Sequence, residues 1–66
     1  MSRFTTRRDD STTLLYLFDT RYNRLVFASQ STDLVERIAR TLNRLEVATG
    51  GLDRRDIADV VDRVLA

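Results

Sequence analysis

The hydrophobic period changes once along this chain, and the change falls near Asp33. Before it, apolar residues crowd into two short runs rich in Leu, Thr, Val and aromatics and free of Gly and Pro, which is the composition of strands. After it, Leu34, Ile38, Leu42 and Leu45 recur at steps of four, four and three, with Val35 and Ala39 widening the stripe, as on one face of an amphipathic helix. Strands followed by helices within 66 residues predict an α+β fold, a single small domain over 1–66 with one core.

The segment 12–29 reads as a β-hairpin. Its two runs are T-T-L-L-Y-L-F at residues 12–18 and R-L-V-F-A-S at residues 24–29, joined by Asp19-Thr20-Arg21-Tyr22-Asn23, where Asn23 suits a left-handed conformation. Segment 1–11 is polar, with Phe4 its only large apolar side chain after Met1, and reads as an arm or an edge strand. The element order is therefore ββαα, or βββαα with a three-stranded meander if residues 3–8 pair. The first helix, 32–49, can be capped by Ser31, Thr32 or Asp33, with Asp33 and Glu36 at capping-box spacing, and Gly50-Gly51 ends it. The second, 53–65, opens with Asp53 as N-cap, Asp56 three residues on, and Leu52 and Ile57 at the two places of a hydrophobic staple. Its expected buried face is Ile57, Val60, Val61, Val64 and Leu65.

The chain has no Cys and no His, which excludes disulfides, thiolate or imidazole metal ligands, Cys nucleophiles, His general bases and haem ligation. P-loop, G-x-S-x-G, D-x-D-x-D-G and H-E-x-x-H patterns are absent too, and paired carboxylates need a cleft that so small a domain has little volume for. No catalytic residue, cofactor or metal is expected, and the chain is read as a non-enzyme. No apolar run approaches the ~18 residues that span a bilayer, and no signal-peptide core follows Met1, so a cytoplasmic protein without membrane contact is expected.

Recognition is where the sequence points. Leu14, Tyr16 and Phe18 alternate with Leu15 and Leu17, and Leu25 and Phe27 with Val26 and Ala28, so the hairpin is apolar on both faces. Two short helices cover one face of a small sheet; the other needs a homodimer partner or a foreign protein, unless one helix packs on each face or the arm with Phe4 folds across. The expected contact set is Leu15 and Leu17, taken as the outward pair, with Arg21, Tyr22 and Arg24 at the hairpin tip. An alternative is a nucleic-acid accessory factor in which Arg3, Arg7, Arg8, Arg21 and Arg24 hold phosphate while Tyr22 stacks a base. Asp9, Asp10 and Asp19 oppose such a field, and eleven basic residues, all Arg, against ten acidic leave a net charge of only +1. An assembly subunit of a larger complex is a third possibility. Arg37, Arg40 and Arg44 on the first helix, and Asp53, Asp56, Asp59 and Asp62 on the second, are diluted by opposite charges and read as solvated faces.

A strand ending in L-F-D, a short turn, a second strand and an Arg-rich helix ending near L-N-R-L together resemble in general style the short reading frames of phages and other mobile elements. The resemblance covers about half the chain and matches no named family. It implies a small inhibitor of a host or defence machine, anti-CRISPR proteins being one such class.

Overall fold

The computed structural model describes residues 2–66. In chain order it contains β1 (Phe4–Arg8), β2 (Leu15–Asp19), β3 (Arg24–Ser29), α1 (Thr32–Thr49) and α2 (Arg54–Leu65). The α+β fold therefore takes its βββαα form. Of the expected arm, Met1 lies outside the described residues, and the rest supplies the edge strand β1, antiparallel to β2, which is in turn antiparallel to β3.

Parity along β2 decides the architecture. Leu15, Leu17 and Asp19 are buried while Tyr16 and Phe18 between them are half-buried. Phe4 sits opposite Asp19 on the buried side and joins Leu15, Leu17, Val35, Ile38, Ala39, Leu42, Leu52, Ile57 and Val60 in one core. α1 crosses all three strands on that side and α2 packs against α1, so both helices share one face of the sheet. Neither one helix on each face nor an arm folded across the second face is found.

Strict alternation fails in β3. Leu17 pairs with Phe27 but Phe18 pairs with Leu25, so Val26 is an extra residue in the ladder. Val26 and Phe27 both pack against the core as a result, and Leu25 is left 52% exposed. On the helices the expected stripes hold at their centres: Leu34, Leu45, Val61 and Val64 are partly buried at the margins, but Leu65, the last residue of α2, is exposed.

The turns follow local chemistry. Asn23 has φ 53°, as the hairpin needs, and Gly50 ends α1 at φ 78° while donating to the Glu46 carbonyl at 3.1 Å. Asp53 caps α2 with a full capping box, accepting from the Asp56 N–H while the Asp56 side chain accepts from the Asp53 N–H. At α1 the N-cap is Ser31 and no side chain caps it; Asp33 lies inside the first turn, where its charge complements the helix dipole.

Candidate functional site

Leu15 and Leu17 do not face outward. They are 6% and 0% exposed beneath α1, and the open face belongs to the residues of opposite parity. The pattern of alternation was readable, but its sense turns on Asp19, which shares the inner face with the two leucines because Arg3 neutralises it there.

The open face is built on the central strand. Tyr16 and Phe18 stack with ring centroids 6.3 Å apart and planes 25° from parallel. Arg7 of β1, opposite Tyr16 in register, lays its guanidinium 5.5 Å from the Phe18 ring centre. Exposed Thr5 and Leu25 pair with Phe18 from the two sides, and Ala28 pairs with Tyr16. Toward the β1–β2 turn the patch is bordered by Arg8, Asp9 and Asp10. Asp9 closes that turn by accepting from the N–H and hydroxyl of Ser11, at 3.0 and 2.9 Å, and these bonds hold its carboxyl below the ordinary range.

The hairpin tip is organised differently from the expected grip. Tyr22 is flanked not by Arg21 and Arg24 but by Arg3, 5.0 Å from its ring centre, and Arg54, 5.4 Å away. Arg3 itself is buried. It donates from Nε and Nη2 to the two Asp19 oxygens, and from Nη1 to Glu46 Oε2 and the Leu52 carbonyl, all at 2.7 to 2.9 Å. Its guanidinium also lies 4.9 Å from the Phe4 ring centre. The Asp19 hydrogen bonds are the largest cause of an upward shift in the Arg3 pKa, so it stays charged.

Arg3 therefore leaves the set of arginines open to phosphate, and Tyr22 is not a free stacking ring. Arg21 is exposed, with Nη1 3.7 Å from Glu46 Oε1, and Arg24 is exposed at the start of β3. Arg7 and Arg8 remain on the surface of β1. Sequence reasoning missed Arg54, which lies thirty-two positions beyond Tyr22 and reaches it only because the capping box starts α2 beside the hairpin.

Among the described residues no group of three or more acidic side chains is placed to hold a metal ion, and every buried polar side-chain atom has a hydrogen-bond partner. No helix is long and apolar enough to cross a membrane. Comparison of the chain with protein-family models, with curated proteins and with solved structures gives no match.

Proposed function

We propose that the chain is a non-enzymatic protein-binding module whose contact surface is the open face of the sheet, centred on Tyr16 and Phe18 with Leu25 and Arg7 beside them. One observation carries this reading: both helices pack on the Leu15 and Leu17 face, so neither of them covers the aromatic pair on the central strand. Aromatic rings and arginine are the side chains that protein interfaces concentrate at their centres. Arg21 and Arg24 flank this surface at the hairpin tip. A second copy of the chain is one partner for such a face, two sheets packing ring to ring as in a sandwich. Inhibition of a host or defence complex of the kind a phage meets is another form of the same binding, in which a small rigid body blocks the surface of a larger machine.

The test is a Tyr16→Ser/Phe18→Ser variant, which leaves the core intact. Sedimentation equilibrium reads self-association, and affinity capture from the source-cell lysate with mass spectrometry reads a foreign partner. Association present in the wild type and lost in a variant with an unchanged melting curve supports the proposal. A monomer that captures the same proteins with and without the two rings overturns it.

A second reading rests on the same rings. Half-buried aromatics on an open sheet face with an arginine alongside are a platform on which single-stranded nucleic acid stacks. Asp9 and Asp10 beside the patch and the net charge of +1 place this reading second. Its mark is steeply salt-dependent oligonucleotide binding whose salt slope falls by about one unit in Arg7→Ala.

A further inference from the structure

β3 is an open edge, hydrogen-bonded to β2 on one side only. The two edges of the sheet differ in charge: β1 ends in the consecutive arginines Arg7 and Arg8, whereas β3, R-L-V-F-A-S, carries one charge. Charge, proline and bulges are the usual deterrents to strand addition; β3 carries one charge, at Arg24, and one bulge, at Val26, which leaves Phe27 to Ser29 as the regular stretch of the edge. Alongside it lies a cleft of about 320 Å3 between the strand and α2, with Val26, Ile57 and Val61 among its apolar lining. The extra residue in the ladder is what brings Val26 to this side together with Phe27.

The cleft is electrically lopsided. Arg24 opens β3, Arg54 opens α2, and both line the cleft beside Tyr22. Among the described residues no ion pair engages either guanidinium. The Asp19 carboxylate at the same end is already occupied by Arg3 and the Arg21 N–H and does not neutralise them. Asp62 lies eight residues further along α2, about 12 Å from Arg54 along the axis.

We propose that the β3 edge and this cleft form a second binding site, which adjoins the open face at Arg24 and Leu25, for an extended peptide that adds to β3 as a fourth strand. The peptide seats an apolar side chain against Val26, Ile57 and Val61 and presents a carboxylate to Arg24 and Arg54. Main-chain pairing to the edge supplies affinity, and the pocket beside it selects alternate side chains. At about 3.3 Å per residue, four residues of strand cover the distance from Arg54 to Asp62. The charge pattern selects an acidic segment over a basic one.

The experiment titrates 15N-labelled protein with an acetylated peptide of sequence VTVTDD, with VTVTKK, and with VTVTDD N-methylated on alternate residues. The expected result is that amides of β3 and of residues 57–62 shift with the aspartate peptide. Affinity falls about fivefold or more with the lysine peptide and in Arg24→Ala/Arg54→Ala, and disappears on N-methylation. The Tyr16→Ser/Phe18→Ser variant binds the aspartate peptide as the wild type does, so this outcome is independent of the open-face reading. Equal affinity for the two charged peptides, shifts confined to Tyr16 and Phe18, or no shift at millimolar peptide overturns the proposal. Shifts of β3 that follow protein concentration alone assign the edge to a second copy and overturn it too.

Discussion

Arg3 meets Asp19 side-on, Nε 2.8 Å from Oδ1 and Nη2 2.9 Å from Oδ2, with the two side chains 7% and 2% exposed. Through its other nitrogen the same guanidinium reaches Glu46 in the last turn of α1 and the Leu52 carbonyl just before α2. One side chain thus ties the start of β1, the end of β2 and both helices. Removing one member of a buried pair leaves the other charge uncompensated, so Arg3→Ala is expected to cost about 3 kcal/mol or more, a large share of what so small a core supplies. Arg3→Lys should recover little of it, because an ammonium lacks the planar fork that spans both Asp19 oxygens. Urea melts measure both, and an Arg3→Ala midpoint equal to the wild type would show that the pair holds nothing together.

The same pair sets the acid limit of the fold. Burial pushes the Asp19 carboxyl up, but hydrogen bonds from Arg3 and from the N–H groups of Arg21 and Tyr22, with the attraction of Arg3, outweigh it and hold the carboxyl below its ordinary range. A lower value in the folded state means that the unfolded chain binds the proton more readily. The stabilisation is therefore complete above the unfolded value of about 3.9 and is lost as pH falls through the folded one. With no histidine in the chain, the melting temperature should be nearly level between about pH 5 and 7 and drop below about pH 4. Asp19→Asn should begin lower and lose less on acidification, and thermal melts across this range read both.

Two neighbouring substitutions on β2 separate core from surface. Leu17 is fully buried, so Leu17→Asp places an unpaired charge in the core and should unfold the chain. Phe18→Asp puts the same charge on the open face and should leave the circular dichroism spectrum folded, with stability changed by less than about 1.5 kcal/mol for the lost ring contacts. The reverse order of stability would invert the assignment of the two sheet faces.

The parts of this fold legible in sequence are those that local chemistry decides. Asn23, Gly50, Asp53 with Asp56, and the Ile38 to Leu42 step each act within a turn or two of themselves, and all stand where the pattern puts them. What escaped were facts decided by partners far away along the chain. Asp19 looked like a surface charge at a hairpin corner until Arg3, sixteen residues earlier, neutralised it inside. That one pairing reverses which face of β2 is open, and with it the candidate contact residues pass from Leu15 and Leu17 to Tyr16 and Phe18. The extra residue at Val26 and the approach of Arg54 to Tyr22 leave no local signature either, since each depends on how β3 and α2 meet their neighbours.

The Gly50-Gly51 pair should prove unequal. Gly50, at φ 78° and ψ 8°, lies in the left-handed helical region, and a Cβ there would meet nothing within 4 Å. Asparagine visits that region readily, so Gly50→Asn should cost less than about 1 kcal/mol. Gly51 has φ 143°, a conformation that residues with a side chain rarely adopt, and its added Cβ would lie 3.3 Å from Arg21 Nη1. Of these two effects the backbone one should dominate, because the Arg21 guanidinium is the mobile end of an exposed side chain and can move aside. Relaxing the backbone at Gly51 also displaces Leu52, whose N–H donates to Glu46 and whose carbonyl accepts from Arg3, so the strain spreads into the buried network. Gly51→Ala is therefore expected to cost about 2 kcal/mol, and to cost nearly the same in an Arg21→Ala background. Denaturant melts of the two single variants and the double variant decide it: a cost that vanishes once Arg21 is removed would assign the glycine to the side-chain contact and not to its backbone.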